Sequence, residues 1–222
     1  VMANIGKTQS RGIEVTLNTR NIVTKDFFWE TSLTYTKYKD RWKERTPDWK
    51  PNVYEKETDP IRAIYSRRAD HIMQIGEEAP TAQPDLRPGQ IVIKDLDGYV
   101  RDENGNPKVD ENGRFMLLGR PDGIIDEADT ELIGTLDPGW MASMTNTFKY
   151  KGFDLNIMFN GMFDRIMQDP TEMDFGVNGG GIAQSGYNML RTIKDRWTFD
   201  NPSTTRPSSY YITGTNYTAG DF

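Results

Sequence analysis

The chain has 222 residues, a formal net charge of −6, 11% aromatic residues, one histidine and no cysteine. Without cysteine there is no disulfide framework, no thiolate metal site and no cysteine nucleophile. No apolar run approaches the roughly eighteen residues of a membrane helix, the opening VMANIGKTQSRG lacks a signal-peptide pattern, and a mildly acidic chain without a basic stripe argues against nucleic-acid binding.

Two segments near the start alternate with period two and predict strands over residues 10–22 and 27–38. In the first, Ile13, Val15, Leu17 and Thr19 oppose Glu14, Thr16, Asn18 and Arg20. In the second, Trp29, Thr31, Leu33 and Tyr35 oppose Glu30, Ser32, Thr34 and Thr36. A short turn joins them. A polar stretch over residues 39–138 follows, opening with KYKDRWKERTPDWKPNVYEKETDP. Its Trp42, Trp49 and Tyr54 are candidate stacking platforms for a ligand such as a sugar ring; packing of the loop on itself is the alternative. The sole histidine, His71, has no second imidazole or thiol to form a metal site with and reads as structural.

Carboxylates concentrate in residues 91–134. Eleven Asp/Glu face four Arg/Lys between Asp95 and Glu131, a balance of −7. If residues 99–120 are set aside as an insert, Asp95-Leu96-Asp97 joins Asp122-Gly123-Ile124-Ile125-Asp126-Glu127-Ala128-Asp129. That reads as a calcium loop of the EF-hand kind. Asp95, Asp97, Asp122, Asp126 and Asp129 supply carboxylates, Ile124 its carbonyl, and Gly123 the sharp turn. The plain alternative is an acidic hairpin whose Asp and Gly residues merely make turns. Within the insert DENG occurs twice, at 102–105 and 110–113, and Asn-Gly marks a tight turn, so a small three-stranded meander is expected.

Two further alternating segments predict strands over 139–150 and 153–163. Trp140, Ala142, Met144, Phe148 and Tyr150 share a face with Asn146, and Phe153, Leu155, Ile157, Phe159, Gly161 and Phe163 share the next. A second long loop follows over residues 164–222. It holds a Gly-rich patch, GVNGGG at 176–181, then residues 183–197, where Tyr187, Leu190, Ile193 and Trp197 recur at helical spacing and predict one short helix. Strands of about ten residues, short turns on one side and long loops on the other, with aromatics near the strand ends, are the pattern of a transmembrane β-barrel. The expected class is therefore all-β, part of a large antiparallel transmembrane barrel with long extracellular loops. No HExxH, GxSxG or P-loop pattern is present, and no enzyme is expected. A reading from another class also fits: a soluble calcium-dependent carbohydrate-binding β-module, with Trp42, Trp49, Tyr210 or Tyr211 as sugar platforms.

Several stretches, in order and at matching spacing, resemble one family. They are NIGK at 4–7, RGIEVTLN at 11–18, FWETSL at 28–33, KDLDG at 94–98, DGIID at 122–126, IG at 133–134, KGFDL at 151–155 and RWTFDNP at 196–202. Together they are similar to the C-terminal part of the barrel in SusC/RagA-type TonB-dependent outer-membrane transporters of Bacteroidetes. The insert at 99–120 departs from that pattern. The resemblance implies a barrel of about 22 strands with a plugged lumen, placed in the bacterial outer membrane, and no plug domain within these residues. It also implies a SusD-like surface lipoprotein on the extracellular loops, contact with TonB through an N-terminal part not present here, and import of glycan or peptide fragments. No cofactor is implied; any Ca²⁺ would be structural.

Overall fold

The computed structural model describes residues 6–111, 113–177 and 186–208. Within them the chain divides into two compact units, one drawn from Val1–Lys50, Lys56–Ile64 and Gly134–Ile166, the other from Pro51–Glu55, Tyr65–Ile133 and Met167–Phe222. The elements in chain order are β1 (Lys7–Val23), β2 (Phe27–Glu44), β3 (Ala63–Arg67), β4 (Ala69–Ile72), β5 (Ile91–Ile93), β6 (Thr130–Thr135), β7 (Trp140–Tyr150) and β8 (Phe153–Phe163).

The first unit is a four-stranded antiparallel sheet in the order β1-β2-β7-β8. All four strands stand where the alternation predicts them, but β2 runs on to Glu44 rather than ending near residue 38. The tight turns are specified locally. Thr24 Oγ1 accepts the Phe27 N–H at 2.9 Å and donates to its carbonyl at 3.0 Å. Lys151 and Gly152 carry positive φ of 47° and 95°, the paired left-handed conformation that a two-residue hairpin demands. Cross-strand partners share a face, so the register alone sorts the side chains. One row reads Leu17, Leu33, Met144, Phe159; the adjacent row reads Asn18, Ser32, Thr145, Met158.

The second unit holds the buried apolar side chains. Among the described residues these are Ile72, Met73, Ile91, Val92, Ile93, Tyr99, Ala128 and Trp197, and none lies in the four-stranded sheet. β4 pairs with β5, and a second ribbon pairs β3 with β6. Trp197 is pinned from three directions: its backbone N–H donates to Arg206 O at 3.0 Å, its Nε1 donates to Gln74 Oε1 at 3.2 Å, and Gly89 lies against its ring.

Two expectations are corrected here. The helix expected over residues 183–197 is not formed where the chain is described: only a 3₁₀ turn, Arg191–Asp195, appears, alongside a π-helical segment at Glu172–Val177. Gly186 at φ 79° and the extended Leu190 interrupt the start. The anchoring of Trp197 draws the end away from helical geometry, so its spacing from Ile193 reflects burial in the loop core. Residues 178–185, which include most of the Gly-rich patch, and residues 209–222, with Tyr210 and Tyr211, lie outside the described residues.

The insert also differs from a meander. Val100 N–H donates to Met116 O (2.8 Å), Met116 N–H to Lys108 O (2.9 Å) and Lys108 N–H to Val100 O (2.7 Å). Each of the three short segments thus pairs with both others in a closed triangle, and none is central. Tight turns at Gly105 and Gly113, both at positive φ, make the triangle possible.

Candidate functional site

The four-stranded sheet has one apolar and one polar face. Ile13, Val15, Leu17, Leu33, Leu155 and Phe159 share the first and are all exposed, between 39% and 68%. Aromatic pairs bound this face at both ends. Trp140 stacks on Phe163 at 3.8 Å with Tyr35 beside it at 6.0 Å; toward the tight turns Trp29 stacks on Phe148 at 5.6 Å and Phe27 meets Tyr150 at 6.5 Å. Phe153 and Phe163 are ten residues apart, about 33 Å along the strand. At a barrel tilt of about 40° this spans about 25 Å, the height of an outer-membrane apolar band. Asn146, the polar member of the face, has its Oδ1 occupied by Thr31 Oγ1 at 2.7 Å and Trp29 Nε1 at 3.1 Å. The opposite face carries Glu14, Thr16, Asn18, Glu30, Ser32, Thr34, Asn156 and Asn160, as the alternation predicts.

In the second unit the acidic stretch folds as a loop in which carboxylates receive backbone N–H groups. Asp95 accepts from Asp122 (3.2 Å) and Gly123 (2.7 Å), and Asp97 accepts from Gly98 (2.8 Å), Gly119 (2.7 Å) and Arg120 (3.2 Å). Asp122 accepts from Ile124 at 3.0 Å and Asp126 from Ala128 at 2.9 Å. Asp129 is fully buried; it accepts from Leu96 and Asp97 through Oδ1 and from Asp126 through Oδ2. Burial raises the Asp129 pKa above the ordinary carboxylate value and the Asp95 charge adds to the rise, while the backbone donors oppose it. The insert leaves and re-enters at neighbouring points. Leu118 N–H donates to Gly98 O at 2.9 Å, and a Cβ at Gly98 would lie 2.3 Å from the Asp122 carboxyl. As they stand, the carboxylates face these amides, and Asp126 Oδ2 also meets the Arg101 guanidinium at 3.5 Å. Among the described residues no three His, Cys, Asp or Glu side chains gather as an ion cage.

No protein-family model matches the chain. It is similar to two curated proteins of Formosa agariphila: TonB-dependent receptor P3, 24% identical over 221 residues, and TonB-dependent receptor P26, 25% identical over 211 residues. These alignments cover 92% and 93% of this chain and 19% of each relative. Among solved structures it superposes on the RagAB peptide transporter with a TM-score of 0.59 at 18% identity, covering 95% of this chain and 21% of that one. A second structure of RagAB, in its open-open state, gives a TM-score of 0.53 at 16% identity. The fold is that of part of a TonB-dependent receptor barrel. The chain spans about a fifth of the length of the relatives it matches.

In a barrel wall the uncovered apolar face needs no second sheet, whereas a soluble sandwich module would have to bury it. Of the three candidate stacking residues, Trp42 and Trp49 both lie against the Arg45 guanidinium, at 4.9 and 4.5 Å from their ring centroids. Gly6 approaches the Trp42 ring as well: a Cβ there would sit 3.1 Å away. Tyr54 packs on Tyr65 at 5.1 Å. The structure thus brings Trp42 and Trp49 together around one cation and sets Tyr54 in the other unit. His71 bridges Asp70 (2.9 Å) and Glu77 (3.3 Å), which raises its pKa, chiefly through the Asp70 hydrogen bond; it is a surface clasp.

Sequence reading missed one feature of the barrel wall. Beyond Tyr35 the alternation of β2 continues, and its formerly apolar face becomes Lys37, Lys39 and Arg41, with Arg11 directly opposite Lys39. A basic stripe therefore exists, hidden by the intervening Tyr38, Asp40 and Trp42 on the other face. Its signal was the period of two, carried further than the apolar residues were.

Proposed function

We propose that this chain supplies part of the wall and outer loops of a TonB-dependent importer of the bacterial outer membrane, not an enzyme. The observation that carries this reading is the exposed apolar face bounded by aromatic rows at both ends, on a sheet whose other face is polar. The polar face is mostly hydroxyl and amide (Thr16, Asn18, Ser32, Thr34, Asn156, Asn160) and suits neutral, hydrogen-bonding cargo such as glycan or peptide fragments. A SusD-like lipoprotein on the long loops and energy from TonB complete the transport cycle in this reading. The peptide alternative for the cargo draws support from the described role of RagAB. The stretch holds no cysteine, so single cysteines placed in it can report its faces in a full-length protein cleared of any cysteine elsewhere. In outer-membrane vesicles, Asn18→Cys should react with a membrane-impermeant maleimide added to both sides and Leu17→Cys should not. Equal labelling, or the reverse, refutes the wall.

The acidic loop has its own part in this reading: it holds one structural Ca²⁺ through Asp95, Asp97, Asp122, Asp126, Asp129 and the Ile124 carbonyl. Support comes from the −7 balance, from the buried Asp129 carboxylate whose partners are amides and not a cation, and from the insert's close return at Gly98. Binding would require several carboxylates to rotate from backbone N–H groups toward the ion. The sign of the pH dependence follows. A raised folded-state pKa means that protonated Asp129 is tolerated, and ionisation costs stability as pH rises through the folded value. A cation offsets that cost only where Asp129 is ionised. Chelation should therefore speed proteolysis within residues 98–134 at neutral pH and do little near pH 4, and Asp126→Ala should mimic it. If chelator changes nothing at neutral pH, the loop is held by its amides alone.

A further inference from the structure

We propose that the outward face of this wall binds an anionic, phosphate-bearing membrane lipid, with one acyl chain in a groove of the sheet and the phosphate against Arg11, Lys37 and Lys39. The proposal rests on the reading of the sheet as membrane wall. The groove has a volume of about 540 Å³: Ala142 offers only a methyl to it, and the Phe163 ring folds over the directly paired Gly161, where a Cβ would lie 2.7 Å away, to form one wall. The Leu33–Met144–Phe159 row borders it on one side and the stacked Trp140–Phe163 pair on the other.

One pair beyond Tyr35, on the side away from the tight turns, the same face turns cationic. Lys37 lies two residues on, about 7 Å along the strand. Lys39 follows, with Arg11 directly across. All three are exposed, and among the described residues no ion pair is recorded for any of them. Like charges set directly opposite repel, and the nearby Asp40 belongs to the other face by alternation. Arg41, next in the stripe, is tied to Thr58 O at 2.8 Å and adds a further positive charge, and among the described residues nothing on this face supplies the missing counter-charge. An anion arriving from outside would. Aromatic side chains mark the depth at which lipid headgroups begin. Cations just outside them, above an apolar groove just inside, match a molecule whose phosphate and acyl chain are joined. A free phosphate would leave the groove unused.

The test uses the full-length protein in bilayers of phosphatidylglycerol and phosphatidylcholine at equal mole fraction, with a photo-crosslinking residue at Ile13, opposite Lys37. Phosphatidylglycerol adducts should exceed phosphatidylcholine adducts by about tenfold. The preference should vanish in the Arg11→Gln/Lys37→Gln/Lys39→Gln variant and return in Arg11→Lys/Lys37→Arg/Lys39→Arg. It should persist in excess inorganic phosphate and be lost when Ala142→Leu fills the groove. Equal adducts in the parent protein, an undiminished preference in the triple Gln variant, or competition by inorganic phosphate overturns the lipid site while leaving the wall intact. No adduct with either lipid overturns the wall itself.

Discussion

Phe159→Arg should destabilise the full-length barrel in vesicles by about 2–4 kcal/mol, and Asn160→Arg, one residue on, by much less. Phe159 stands near the middle of the apolar face in register with Met144, and Asn160 stands on the polar face in register with Ser143. A guanidinium at the first position must be stripped of water or drag water into hydrocarbon; at the second it meets solvent. Reversible urea unfolding of the two variants reads the difference directly. Similar losses from both would mean that the two faces share one environment, and the assignment of an outward face would fall.

The second large effect is expected at Trp197. Its ring is 4% exposed in a unit whose β4 and β5 are only four and three residues long. Truncation to Ala removes both apolar burial and the Nε1 bond to Gln74, and should cost that unit about 3–5 kcal/mol. Gly89→Ala should disturb the same contact from the other side. Gly89 holds φ 87°, and an added Cβ would fall 2.4 Å from the Trp197 ring. Hydrogen exchange would locate both effects. Protection should drop at the β4 and β5 amides and stay unchanged in the four-stranded sheet, because the sheet draws on register and not on this core. Loss of protection throughout would show that the two units melt together.

The wall was legible because a strand with one wet and one dry face writes its period into the sequence, as Ile13 to Arg20 and Phe153 to Phe163 do. Glu14 and Asn156 had nowhere else to point. The loops were less legible because their order comes from single contacts between distant residues. The meeting of Gly89, Gln74 and Trp197 has no period, and it overrode the helical spacing that Tyr187, Leu190, Ile193 and Trp197 suggest. In the acidic stretch, residue types predicted the turns and the close return of the insert. They did not show that the carboxylates would stand facing backbone amides, since an Asp beside a Gly serves a turn as readily as an ion. For Trp42 and Trp49 a ligand surface and packing within the loop both stayed open, because nothing in the sequence singles out Arg45, three residues from one and four from the other, as their stacking partner.

The closed triangle of Val100, Lys108 and Met116 bears on how this loop can change. Its three pieces pair with one another and its ends meet beside Gly98, while its ties to the host lie near its base: Tyr99 in the buried core, Arg101 on Asp126, and the Gly119 and Arg120 N–H groups on Asp97. Its turns at Gly105 and Gly113 stand in open space, so either can be lengthened without a compensating change elsewhere. Changes in length can then accumulate at these tips while the four strands keep their register.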